Sequence, residues 1–322
     1  KDPALFKTFY MTINIPNPPS NQERIVIIGG GFAGINLATK ISKSDYQVVL
    51  IDRNNYHQFQ PLFYQVAMAG LEPSSIVFPL RKTFQKRDNT FIRVAQVKRI
   101  DPKIHLIETD LGTLTYDHLV IAIGADTNFF GNQKIAEHAI PMKSVSEALF
   151  LRNAILDDYE KALVTTNYEK RQELIDIVIV GGGPTGVEVA GSLAEMKKYI
   201  LPKDYPELDV SEIDIHLFQG GDVLLDGMSE NASIHALKYL QDLGVKVHLN
   251  SQVTDFDGCK VTLKDGEILH TKKVIWAAGI IGNTIEGIDK EVMGRGNRIR
   301  VDRYHQVEGI ERVYAIGDVC YM

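Results

Sequence analysis

The chain has 322 residues, 44% of them hydrophobic and 24% charged, and carries a formal net charge of −6. That length predicts two domains, each able to bury a core of its own, and the acidic balance removes the electrostatic case for nucleic acid as a partner. No apolar run reaches the ~18 residues needed to span a bilayer, so the chain as it stands reads as soluble, and two cysteines without C-x-x-C spacing exclude a disulfide framework or a cysteine zinc site.

Residues 1–23 include the Pro- and Asn-rich run INIPNPPSNQ and predict a flexible lead-in, with Met11 an alternative natural start. At Arg24 the character changes. Residues 25–28 are apolar and predict a strand; Gly29, Gly31 and Gly34 then fall in the spacing G-x-G-x-x-G, and an apolar-periodic run over 32–41 predicts a helix. A second apolar strand, 48–51, ends in Asp52, about 20 residues beyond the middle glycine. Each part has a physical job. Gly29 permits the turn, Gly31 lets backbone amides approach a pyrophosphate, Gly34 lets helix and strand pack closely, and an Asp52 carboxylate accepts both ribose hydroxyls of an adenosine. The alternative is a Gly-rich turn of some other α/β protein.

Further along, Arg81-Lys82 and Lys86-Arg87 form two basic clusters, open to two readings: contact with anionic lipid or a solvated helix face. The nine histidines lack ligand spacing, and no G-x-S-x-G elbow occurs.

An internal repeat decides the architecture. Residues 177–190, IVIVGGGPTGVEVA, restate the opening motif with Gly181, Gly183 and Gly186, and Pro184 stands where the first helical turn begins. The match continues past the glycines. Residues 97–124 and 253–279 both read as alternating strands around a glycine turn, Gly112 in one and Gly266 in the other. Each is followed by a buried strand ending in glycine, Gly124 or Gly279. Each copy is thus a βαβ unit with an antiparallel crossover, and two copies imply two dinucleotides. Between them 144–170 has helical periodicity and can serve as a connector. Residues 309–318, GIERVYAIGD, predict one more strand ending at Asp318; the chain stops shortly afterwards, which predicts a missing C-terminal segment.

Two dinucleotide sites and a terminal YAIGD resemble the two-dinucleotide-binding flavoprotein disulfide-reductase superfamily, over roughly residues 24–318. Residues 55–81, NYHQFQPLFYQVAMAGLEPSSIVFPLR, narrow the resemblance to type II NADH dehydrogenases, the single-subunit NADH:quinone oxidoreductases; GGGPTGVEVAG and VIWAAG are similar to the same family. Read without it, 55–81 is a helix and loop with an apolar core face.

The resemblance implies an α/β fold of two Rossmann-like three-layer domains, the NADH domain (144–285) inserted into an FAD domain (24–126 with 290–322). It implies non-covalent FAD on Gly29, Gly31, Phe32, Ala33, Gly34, Asp52, Arg53, Pro61, Leu62, Val97, Gly124 and Asp318. For NADH it implies Gly181, Gly183, Pro184, Thr185, Gly186, Gln219, Ala278 and Gly279. Glu188, in the second turn of its helix, would contact the nicotinamide and help move protons; the alternative is an exposed helix glutamate. The activity implied is non-electrogenic hydride transfer from NADH to FAD, then reduction of a membrane-dissolved quinone. The further implications are peripheral attachment to the cytoplasmic side of the inner membrane through the missing segment, and a homodimer.

The chain departs from its relatives in instructive places. No redox cysteine pair is present, because Cys259 falls in a crossover strand and Cys320 beside the terminal motif. Electrons must then leave the flavin directly. Gln219 stands where an acid is expected and repels a 2′-phosphate less than a carboxylate would, but no Arg or Lys lies nearby to attract one, which favours NADH and leaves NADPH tolerance open. The residues after Gly279, IIGN, differ from the family pattern. A ferredoxin or rubredoxin reductase that needs no cysteine, and an NADH-sensing flavoprotein of the apoptosis-inducing-factor type, are the competing readings.

Overall fold

The computed structural model describes residues 11–322, so the part of the predicted lead-in over 1–10 lies outside the described residues. The chain divides into two compact units. One comprises the chain up to Gln58 with Val77–Asp126 and Ile281–Met322; the other comprises Phe59–Ile76 with Thr127–Ile280.

The first unit is built on a five-stranded sheet in the order Val313–Ala315, His118–Ile121, Arg24–Ile28, Gln47–Asp52, Thr90–Val94, parallel throughout. Its inner strands are apolar without alternation because both faces are covered. Ile27, Val48 and Leu50 pack under the helix Phe32–Ile41, whereas Val26, Ile28, Val49 and Ile51 pack against Ile100, Ile107 and Leu114 of an antiparallel meander. The result is helix, sheet and meander in three layers.

The second unit repeats the plan. Its sheet runs Ile140–Pro141, Lys273–Trp276, Ile177–Val180, Ile215–Phe218, Lys246–His248, again parallel. Val178, Val180 and Trp276 pack on Phe256 and Val261 of a second meander, and the helix Pro184–Tyr199 follows the central strand. Both meanders slip register in their first strand, between Val97 and Arg99 and between Val253 and Asp255. A bulge at the same place in both copies extends the repeat from sequence to backbone detail.

Three expectations change. The flexible lead-in does not hold over 11–16: Ile13 and Ile15 are buried, the Ile13 N–H donates to the Thr113 carbonyl at 2.9 Å, and Pro16 accepts from the Arg24 and Gln47 side chains. The physical reason is that the two isoleucines, two residues apart, turn one face of an extended segment onto the first core while the meander edge satisfies its backbone. The helical stretch 144–170 is more than a connector. It forms the helix Val145–Leu163, opened by a Ser144–Glu147 capping box, and then breaks before a second helix, Tyr168–Ile175. Its residues Ala148, Leu151, Ile155 and Tyr159 are core. The stretch 55–81 is split: Tyr56–Gln58 and Val77–Pro79 pair in the first unit, while Phe63–Ala67 packs on the helices Val145–Leu163 and Pro184–Tyr199 of the second.

Candidate functional site

Both glycine loops leave the C-terminal end of a central strand, and in each the glycines do two different jobs. A Cβ on Gly34 would stand 1.8 Å from the Gly29 carbonyl oxygen, and one on Gly186 would stand 1.8 Å from that of Gly181. Gly29 and Gly181 have positive φ, and a Cβ on either would strike the backbone just past the neighbouring strand, at Ala122 and Ala277. Those four glycines are demanded by the protein's own packing. The middle ones are not. A Cβ on Gly31 or Gly183 would meet nothing within 4 Å. Each is the N-cap of a helix that has no side-chain cap, so the positive end of the helix faces an open cradle. Uncapped first-turn amides beside an open glycine can take a compact anion, and a dinucleotide's pyrophosphate is one.

Asp52 ends the strand Gln47–Asp52 and Gln219 directly follows the strand Ile215–Phe218, and both reach back to the loop. The Gly30 N–H donates to Asp52 Oδ2 at 2.6 Å, and the Gly182 N–H donates to Gln219 Oε1 at 2.9 Å. Asp52 Oδ1 also accepts from the Asn54 N–H. The carboxylate retains acceptor capacity for ribose hydroxyls, having about four lone-pair sites in all.

In the first unit several expected residues converge on this cradle. Gly317, at positive φ, lies so close to Ala33 that a Cβ would come within 2.9 Å of the alanine's own, which sets the exposed Asp318 beside the helix N-terminus. The Asp318 carbonyl accepts from Arg298 Nε. Phe32 and Arg53 are exposed, Val97 is buried at the meander bulge, and Gly124 accepts from the Asn283 N–H. Pro61 and Leu62 belong to the other compact unit.

In the second unit Pro184 occupies the first helical turn, with Thr185 exposed beside it, and Ala278 and Gly279 lie just past the end of the strand Lys273–Trp276. Glu188 is exposed on the helix that follows the loop; partial desolvation holds its carboxyl above the usual range. Cys259 and Cys320 are both free. Among the described residues no cluster of His, Cys, Asp and Glu suits a metal ion, and no helix is long and apolar enough to cross a membrane.

Two contributors escaped sequence reasoning. Gly30 supplies the amide that Asp52 holds. His57 is buried, its Nδ1–H donates to the Gly30 carbonyl at 3.0 Å, and its ring meets Phe32 edge-on, so it braces the loop from behind. The signal was the third residue of NYH, within the stretch that carried the family resemblance.

Residues 23–322 match the family model for pyridine nucleotide-disulphide oxidoreductases. A type II NADH:quinone oxidoreductase of Mycobacterium tuberculosis is 33% identical over 313 residues, covering 94% of this chain and 68% of the relative. The mitochondrial external alternative NAD(P)H-ubiquinone oxidoreductase B1 of Solanum tuberosum is 31% identical, covering 94% of this chain and 56% of the relative. Among solved structures, NDH2 from Plasmodium falciparum in complex with NADH superposes with a TM-score of 0.87 at 27% identity, covering 92% of this chain and 64% of that one. The chain therefore spans roughly half to two thirds of the length of these proteins.

Proposed function

The chain belongs to the pyridine nucleotide-disulphide oxidoreductase family, among the type II NADH:quinone oxidoreductases, and from that premise we propose that it oxidises NADH through FAD and passes the electron pair to a quinone. The observation that carries the reading is the matched pair of open cradles at Gly31 and Gly183. Two sites of one design in one chain suit a donor nucleotide and an acceptor nucleotide.

Bound FAD supplies a two-electron acceptor, and bound NADH the hydride donor. The chain's own work is to hold them. Gly29, Gly31 and Gly34, with the first-turn amides of Phe32 and Ala33, take the FAD pyrophosphate. Asp52 takes the adenosine ribose beside Arg53, and Asp318 the ribityl hydroxyls; Val97, Gly124, Pro61 and Leu62 complete the proposed set. Gly181, Gly183 and Gly186, with Pro184 and Thr185, hold the NADH pyrophosphate. Gln219 meets its adenosine ribose, and Ala278 and Gly279 border its other end. Glu188, with its raised pKa, holds a proton more readily than an ordinary carboxylate. Cys259 and Cys320 are both free and carry no part of the proposed transfer.

The names of the relatives support a quinone as acceptor. A membrane-dissolved pool, peripheral attachment to the cytoplasmic side of an inner membrane and a homodimer rest on the resemblance, and fractionation and sedimentation test them.

The decisive experiment is the visible spectrum of the FAD-loaded chain before and after one equivalent of NADH without oxygen. Rapid bleaching of the flavin band, slower with NADPH, is the expected result. Bound flavin that stays oxidised would sink the assignment of the second site.

A further inference from the structure

We infer that Phe130 is a contact residue for the nicotinamide half of the pyridine nucleotide, held ready beside Gly279 by a strained turn. The inference rests on the reading of the second unit as the NADH site and adds a residue to it.

Phe130 is in the wrong place on every local criterion. The Asn132 N–H donates to the Phe129 carbonyl at 3.0 Å, closing a tight turn whose central residues, Phe130 at φ 52 and Gly131 at φ 77, are both left-handed. Such a mirror-image turn asks for Asn, Asp or Gly at its first central position, because a bulky side chain there crowds its own backbone. Core packing does not offset that strain, since Phe130 is 66% exposed. The neighbouring Phe129 has the packing role: its ring stacks on Trp276 and joins the core of the unit.

The turn is clamped. The Asn128 N–H donates to the Gly279 carbonyl at 3.0 Å, Trp276 Nε1–H donates to the Asn128 carbonyl at 2.8 Å, and the Phe130 N–H donates to Asn128 Oδ1 at 2.8 Å. On its far side Asn132 caps the helix Gln133–His138 and donates to the Thr254 carbonyl. Strain that the surroundings over-determine in this way gathers where ligands bind.

The ring's position says which ligand. Its Cζ lies 3.0 Å from where a Cβ on Gly279 would stand, so it covers the glycine three residues past the end of the strand Lys273–Trp276. In the sheet that strand and Ile215–Phe218 flank the central strand on opposite sides. A dinucleotide crossing the strand ends with its adenosine toward Gln219 must bring its nicotinamide to the Gly279 side. There a flat aromatic ring offers a face or an edge to the pyridine.

The test is calorimetric titration of the FAD-loaded chain with NAD+ and, separately, with ADP-ribose, which lacks the nicotinamide. Phe130→Asn relieves the turn and removes the ring. We expect Tm unchanged or raised, NAD+ bound about fivefold more weakly, and ADP-ribose bound as before; Phe130→Tyr should bind NAD+ as the wild type does. Unchanged NAD+ affinity in Phe130→Asn overturns the inference. So does a lowered Tm with equal loss of both ligands, the mark of a structural role. A wild-type chain that binds neither ligand overturns the NADH reading itself.

Discussion

Gln219 holds in the second unit the position that Asp52 holds in the first: each stands at the C-terminal end of the strand after its glycine-loop helix, and each accepts the N–H of the loop residue before the middle glycine, at 2.9 and 2.6 Å. The shared bond is structural and needs only an oxygen. The charge is spare, and on the proposed reading of this position as the ribose site it would set how a 2′-phosphate is received. In Gln219→Glu the loop bond persists while a carboxylate faces that phosphate, so NADPH should lose ground. The ratio of kcat/KM for NADH over NADPH is expected to rise about tenfold, the effect of roughly 1.4 kcal/mol of like-charge repulsion. An unchanged ratio would remove Gln219 from the ribose site.

Gly31 and Gly34 make opposite predictions although they stand three residues apart. Gly34→Ala drives a Cβ into the Gly29 carbonyl at 1.8 Å and should cost about 3 kcal/mol or more of stability even without flavin. Gly31→Ala meets no protein atom, and Gly31 is extended at φ −70, so apo stability should stay within about 0.5 kcal/mol. Its FAD occupancy should nonetheless collapse. Thermal melts of the apo proteins, with flavin content read by absorbance, separate the two.

Lys273 is 1% exposed, and its ammonium lies 2.8 Å from Asp158 Oδ2 with the Leu174 carbonyl as a second acceptor. Burial pulls its pKa down against the pull of Asp158. Asp158→Ala leaves a buried cation without its carboxylate and should cost about 3–5 kcal/mol. Adding Lys273→Met to that variant should restore part of the loss, since the penalty belongs to the unpaired charge. Chemical denaturation of both singles and the double checks it; simple additivity would refute it.

Asp176 and His216 work against each other in pH. Burial raises the Asp176 carboxyl from its ordinary value to about 6, so the folded state holds a proton that the unfolded chain has released. Stability from this group is therefore present below pH ~4 and lost as pH rises toward 6. Burial, with His248 beside it, lowers His216 to about 4, so its contribution runs the other way and grows as pH rises toward 6.5. Asp176→Asn keeps an oxygen for the Asp214 N–H and removes the first effect. Its stability should climb between pH 4 and 6.5 more steeply than the wild type's, and its Tm at pH 7.5 should be higher. Parallel pH profiles would refute the assignment.

The units were legible because their signals are local. Apolar runs bounded by glycines, the helical period after each loop and the repetition of the whole pattern are properties of neighbouring residues, and the strands and helices they predict are present at Arg24–Ile28, Phe32–Ile41, Ile177–Val180 and Pro184–Tyr199. Polar composition misled at residues 11–16, because INIP reads as loop until a meander edge exists to receive it.

By itself the sequence determined the two-copy α/β plan, the positions of both glycine loops and the acid or amide that closes each, since chain geometry requires small residues where backbone meets backbone. Only the tertiary structure distinguished the glycines that packing demands from those it leaves open. It alone divided residues 55–81 between two units, buried Lys273 against Asp158 and set Phe130 beside Gly279. Those relationships join residues distant in the chain, and no local preference encodes them; at Phe130 the local preference points the other way.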